Sequence, residues 1–196
     1  MERPMPPTPS MTIPTRIETA RLVLRPLAAS NLDDLVRALN NFNIAKMTAR
    51  IPHPYGIDDA RAFLALCQTS EEGVLRLSIA RRAAPDLVIG GVGYEALDEE
   101  NAAEIGYWLA EGEWGQGLAS EAASAVRDHA FRHCQFDRLI ARYLADNPAS
   151  GRVLAKLGFT VTGSLTCGSI ADGDNPATAV ALTRADWRAR QGGSDG

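Results

Sequence analysis

Residues 114–122 read Trp-Gly-Gln-Gly-Leu-Ala-Ser-Glu-Ala, two glycines one residue apart followed at once by small residues at helical spacing. Leu118, Ala122, Val126 and Ala130 form one narrow apolar stripe, which predicts a helix over about 117–134 opened by the glycine turn. A helix start leaves backbone N–H groups without partners and carries partial positive charge, and glycines let that backbone come close to an anion. The turn therefore suits a phosphate, although plain chain reversal accounts for two glycines equally well. Two phosphate fingerprints fail here. Ser120 stands where a dinucleotide turn needs its third glycine, and no Gly-Lys-Ser/Thr ending is present. A nucleotide-dependent oxidoreductase is disfavoured with the first of them, and also by the lack of an acidic residue after a following parallel strand.

Outward from the turn the pattern alternates. Upstream, strand-like runs at 75–82, 87–97 and 102–110 are separated by turn-rich or acidic segments, as in an antiparallel meander. Before them, Leu22 and Leu24 alternate with Arg21, Val23 and Arg25 in a strand over 21–27. Ser30 with Asp33 resembles a capping box ahead of a helix carrying Leu32, Leu35, Val36 and Leu39. Residues 40–56, with Pro52 and Pro54, read as irregular, and 58–68 as a second helix. Downstream follow a strand at 138–145, a helix at 148–157 and strands near 159–167 and 177–183. Asn147 reads as that helix's N-cap, Pro148 as its first residue and Gly158 as its stop. The fold class is α/β, or α+β, in one domain over 16–190.

Composition bounds the function. The 196 residues, 45% hydrophobic and 22% charged, are enough to bury a core without metals or disulfides. No apolar run is long enough to span a membrane and none near the start resembles a secretory signal, so a cytoplasmic protein without a membrane partner is expected. The net charge of −4 is dispersed, which argues against a nucleic-acid groove. Cys67, Cys134 and Cys167 match no zinc spacing and read as small apolar fillers. Residues 1–15 hold five of the eleven prolines and read as a flexible arm, with Met11 an alternative start to Met1; 191–196 read as a flexible tail.

Several side chains invite chemistry. Glu104 lies in an apolar strand, sharing a face with Gly106 and Trp108 and opposing Ile105, Tyr107 and Leu109. It reads either as a functional acid or as an exposed glutamate facing solvent or an arginine on the next strand. Asp98, Glu99 and Glu100 read as a solvated turn. His129 and His133 are four apart, but Ala-Phe-Arg between them lacks a zinc-protease glutamate and no third ligand cluster is evident, so no metal is expected. His53 lies in the irregular segment and reads either as a wall of a substrate site or, as loop histidines more often are, as a surface residue.

Trp-Gly-Gln-Gly-Leu-Ala resembles the acetyl-CoA signature of the GNAT N-acetyltransferase superfamily, written Gln or Arg, x, x, Gly, x, Gly or Ala. Gly117 and Ala119 match, and Trp114 departs in a way familiar from the ribosomal-protein N-terminal acetyltransferase branch. The segments at 18–27, 51–63, 103–109 and 146–159 look like further landmarks of that branch in the right order, extending the resemblance over roughly 17–187.

The resemblance implies a mostly antiparallel sheet splayed between the strands near 102–110 and 138–145. It implies acetyl-CoA as co-substrate, its pyrophosphate on the turn formed by Trp114, Gly115, Gln116, Gly117, Leu118, Ala119 and Ser120. Its pantetheine arm would meet backbone near Trp108 and Leu109, and Asn147. Many members place a tyrosine thiol-protonating group where this chain has Leu154, so Ser150 becomes the candidate hydrogen-bond donor to the leaving thiolate. A protonated amine must lose its proton before it attacks, and Glu104 is similar in placement to a known general base. Acetyl would pass directly to a primary amine, on a peptide N-terminus or a small molecule, in a monomer or homodimer. The contrasting reading is an acyl-CoA-sensing module with weak or no catalysis.

Overall fold

The computed structural model describes residues 16–69, 71–97 and 101–192. The arm at 1–15, the acids at 98–100 and residues 193–196 lie outside them. Eight strands form one sheet in the order β1-β2-β3-β4-β5-β6-β8-β7. They are β1 (Ile17–Glu18), β2 (Leu22–Arg25), β3 (Val74–Arg81), β4 (Ala84–Ala96), β5 (Ala102–Leu109), β6 (Arg138–Leu144), β7 (Thr160–Ser169) and β8 (Gly173–Thr183). Every neighbouring pair is antiparallel except β5 and β6.

Helices cover both faces. On one, α4 (Leu118–His133), α5 (Pro148–Leu157) and α6 (Arg184–Gly192) bury a core with Leu75, Leu77, Ile79, Val92, Ile105, Leu139 and Val180. On the other, α1 (Leu32–Leu39), α2 (Phe42–Ala45) and α3 (Ile57–Gln68) bury a smaller cluster that includes Leu35, Leu39, Ile44, Tyr55, Leu64 and Val88. The small-residue stripe of α4 brings that helix close to the sheet: Leu118, Ala122, Val126 and Ala130 are all fully buried.

Val23, on the face opposite Leu22 and Leu24, is as buried as they are, because helices cover both faces of the sheet. Three expectations are corrected. Ser30 does not cap α1: Asn31 holds the N-cap position without a side-chain bond to the helix, and Ser30 lies in a 3-10 turn, with the Asn31 side chain buried between Arg25 and Asp86. The irregular segment 40–56 contains α2. The chain from 184 to 192, read partly as tail, is a helix whose charged sequence hides one anchor. Trp187 stacks on Phe131 at 5.2 Å and donates to Asp128 at 2.8 Å. Arg184 beside it donates to the carbonyls of Phe131, Cys134 and Phe136, where the last turn of α4 lacks partners.

Candidate active site

The sheet opens where β5 meets β6. Their parallel pairing covers only Ala102, Ala103 and Glu104 opposite Arg138, Leu139 and Ile140, and then stops. From Ile105 to Leu109, β5 keeps β4 as a partner on one side and has no β6 partner on the other. Three elements gather at this gap.

The first is the glycine turn. Gly117 is the N-cap of α4 in a left-handed conformation (φ 76°), and no side chain caps the helix. A non-glycine residue there is strained, and the amides of Leu118, Ala119 and Ser120 have no intrahelical acceptor to satisfy them. A Cβ on Gly115 would meet nothing within 4 Å, so the approach is open. The turn is held from below. Thr19 Oγ1 and the Arg21 amide donate to one oxygen of Glu121 (2.6 and 2.8 Å), Arg21 Nε to the other (2.6 Å), and Arg21 Nη1 to the Gln116 carbonyl (2.9 Å). Burial works to raise the Glu121 pKa, but the hydrogen bonds from Thr19 and Arg21 outweigh it and hold the carboxyl below its ordinary value. Arg81 reaches both Glu113 and Gln116. Trp114, exposed on one flank, turns its indole N–H back onto the Leu109 carbonyl at 2.9 Å. Backbone donors, a left-handed glycine and nearby guanidinium groups fit the diphosphate of a coenzyme A thioester.

The second element is the start of α5. Asn147 Oδ1 accepts from the Ser150 amide at 3.1 Å and Pro148 follows, so asparagine is the cap that its sequence position suggests. Leu154 is buried and offers no polar group. The Ser150 hydroxyl is not isolated. It lies 2.9 Å from the hydroxyl of Tyr107 on β5, which also reaches the Ser150 carbonyl at 3.2 Å. Burial pushes the Tyr107 phenol up to about 12, while the bond with Ser150 pulls it the other way.

The third element is on the opposite face of β5. Glu104, Gly106 and Trp108 share that face as the alternation requires; Trp108 packs into the smaller core and its indole lies across Gly91. Both Glu104 oxygens accept from Arg142 of β6, at 2.8 and 2.6 Å. Glu104 thereby raises the Arg142 pKa further, although burial opposes it. Directly across the ladder from Glu104 stands Glu95, paired with Arg76 at 3.3 Å and with Arg50 from the segment before α3 at 3.1 Å. Above this face the β7–β8 hairpin tip meets α2: Ile170 donates its amide to Ala49 and Ser169 its hydroxyl to Ala45. A Cβ on Gly106 would meet nothing within 4 Å, so the floor between Glu104 and Trp108 is bare.

The expected residues thus fall into one neighbourhood of the splay. Reading from sequence named none of Tyr107, Glu95, Arg142 and Arg21 as a site residue, although an arginine on the next strand was one alternative it held for Glu104, and Arg142 of β6 is that arginine. Tyr107 also carried a signal, as a polar-tipped residue on the face of the strand opposite Glu104; Glu95 and Arg21 carried none. His129 and His133 lie elsewhere, their rings tilted 4.8 Å apart on α4 with His129 stacked on Tyr94 at 6.2 Å, and His53 packs edge-on against Phe42 at 5.5 Å. Among the described residues no three His, Cys, Asp or Glu side chains gather to hold a metal, and no helix is long and apolar enough to cross a membrane.

Comparison with known proteins agrees with this geometry. Residues 21–160 match the family described as the acetyltransferase (GNAT) domain. The chain is 30% identical over 158 residues to the uncharacterized N-acetyltransferase YoaA of Bacillus subtilis, spanning 76% of this chain and 85% of that protein. It is 36% identical over 81 residues to the ribosomal-protein-serine acetyltransferase of Escherichia coli, 41% and 45% of the two lengths. The structure of RimL, a ribosomal L7/L12 alpha-N-protein acetyltransferase in complex with coenzyme A, superposes with a TM-score of 0.73 and 21% identity, covering 87% of this chain and 97% of that one.

Proposed function

The chain belongs to the GNAT acetyltransferase family and is an N-acetyltransferase, and from that premise we propose how its residues bind acetyl-CoA and a primary amine. The observation that carries the reading is the uncapped start of α4, with Gly117 in a left-handed conformation, next to the unpaired stretch of β5. The pyrophosphate of acetyl-CoA lies on the amides from Gly115 to Ser120, flanked by Trp114. The pantetheine arm runs along β5 by Trp108 and Leu109 as an added strand, and meets Asn147 at the start of α5. The thioester then lies between Ser150 on one side of β5 and Glu104 on the other.

The amine, of a peptide N-terminus or a small molecule, enters over Gly106. With a pKa near 10 it is mostly protonated at neutral pH. Glu104, directly or through a water, takes its proton; Arg142 occupies one lone pair on each carboxylate oxygen and leaves the others to accept. The nitrogen attacks the acetyl carbonyl, its remaining surplus proton passes to solvent, the tetrahedral intermediate collapses, and the thiolate leaves with a hydrogen bond from Ser150. No acyl-enzyme forms. Dependence on acetyl-CoA suits a cytoplasmic enzyme, in a single domain spanning about 16–190.

The test is release of free thiol from acetyl-CoA across a panel of amines and N-terminal peptides, for wild type and Glu104→Gln. Turnover with one acceptor class, lowered by the substitution mainly near neutral pH, is the expected result. Turnover unaffected by Glu104→Gln at every pH overturns the base assignment.

A further inference from the structure

Tyr107 is a residue that this mechanism leaves unused. It is largely buried, on the α5-facing side of β5, and its hydroxyl crosses the gap to the first turn of α5. A buried phenol needs a partner, but a helix start has several carbonyls and side chains to offer. Tyr107 meets the hydroxyl of Ser150 at 2.9 Å and, with the same oxygen, the Ser150 carbonyl at 3.2 Å.

We infer that Tyr107 is a positioning residue for thiolate departure: its hydroxyl holds Ser150 Oγ so that the serine proton points at the sulfur. The inference rests on the reading of Ser150 as the group beside the thiolate. With two acceptors in reach, the phenolic proton turns between them without movement of the ring. When it lies on the Ser150 carbonyl, the serine donates to the phenol oxygen. When negative charge grows on the sulfur, the serine O–H turns outward and the phenol O–H turns to donate to Ser150 Oγ. Only two hydroxyl rotations are involved.

The magnitudes decide that this is a hydrogen-bond relay and not proton transfer. A thiol titrates near 8.5 and the Tyr107 phenol at about 12, so moving the proton to the thiolate is disfavoured by about three powers of ten. The carbon–sulfur bond breaks with its electron pair on sulfur, the serine and tyrosine keep their protons, and the thiolate is protonated later by solvent. The Glu104–Arg142 ion pair lies on the other face of β5; Tyr143, the phenol of β6 on the α5 side, contacts Gly151.

The test needs no acceptor. Free coenzyme A is bound to the protein and its thiol titrated by thiolate absorbance, for wild type, Tyr107→Phe, Ser150→Ala and the double variant. In wild type the bound thiol titrates below its free value. Ser150→Ala is expected to raise it by about one pH unit and Tyr107→Phe by about half that, with no further rise in the double variant. If Ser150→Ala leaves the titration unchanged, the Ser150 reading fails. If Ser150→Ala raises it and Tyr107→Phe does not, or Tyr107→Phe adds its full effect without the serine, the Tyr107 inference alone fails. Replacement of all tyrosines by 3-fluorotyrosine, whose phenol is the stronger donor, gives an independent arm. It is expected to lower the thiol's titration in wild type and leave it unaltered in Ser150→Ala; no change in wild type overturns the inference even if Tyr107→Phe does not fold.

Discussion

Helix α4 begins on a left-handed glycine with no side chain across its amides, whereas α5 begins on an asparagine that caps it, a proline, and a serine tied to a tyrosine from the sheet. Both are helix N-termini with the same dipole and the same orphan donors. They differ in what the sequence withholds. At α4 the backbone donors meet no capping side chain, and Thr19, Arg21 and Glu121 brace the turn from behind. At α5 the chain satisfies its own backbone and offers only side chains to the gap. A helix start serves as an anion site when the fold does not fill it first.

The sharpest way to break this contrast is to give α4 the cap that α5 has. Gly117→Asp is expected to fold with some backbone strain, since aspartate is among the side chains that reach positive φ most readily and a Cβ there lies 3.7 Å from Arg21 Nη2, an ordinary contact. Its carboxylate then fills the amides and repels the diphosphate, so acetyl-CoA affinity measured by calorimetry should fall about 100-fold. Glu104→Gln comes next, with kcat/KM down roughly 10- to 100-fold near neutral pH and recovering as the assay pH approaches the amine pKa. An equal loss at all pH values would instead mark Glu104 as a structural partner of Arg142.

Smaller effects sharpen the other side. Asn147→Ala removes the cap of α5 and should cost about 1 kcal/mol, read as a shift in urea midpoint, while acetyl-CoA affinity falls far less than in Gly117→Asp. The smallest effect lies toward the far end of α4, where burial and then repulsion by His133 depress the His129 pKa to about 4. The folded state refuses a proton that the unfolded chain accepts below about 6.5. The stabilisation is therefore complete above that pH and is lost as pH falls toward 4. Discounted for its partial exposure, this is about 1 kcal/mol between pH 7 and pH 5, and urea titrations of His129→Gln should lack that portion of the slope.

Much of this was legible because the signals are local. The glycine pair and the small-residue stripe of α4 depend on neighbours within a few turns, as do the alternation of β5 that puts Glu104 beside Gly106 and Trp108, and the Asn-Pro to Gly punctuation of α5. What escaped depends on distant partners. Arg142 is 38 residues from Glu104 and Tyr107 is 43 from Ser150, so an arginine on the next strand was foreseeable as a type of partner but not which one, and the tyrosine had no period or cap to announce it. Helix α6 escaped for another reason: one tryptophan among arginines carries its burial, too few apolar positions to show a face.

The parallel pairing of β5 and β6 ends after three residues, which gives an eight-stranded sheet a third edge, in its middle. Unpaired edges usually invite other chains, but this one is narrow and roofed by α5. Amide groups of 105–109 that point away from β4 should exchange with solvent faster than those on either flank, and slow markedly when coenzyme A fills the gap. On the proposed reading the protein carries a local softness at its centre between turnovers, and its own substrate is the piece that completes the sheet.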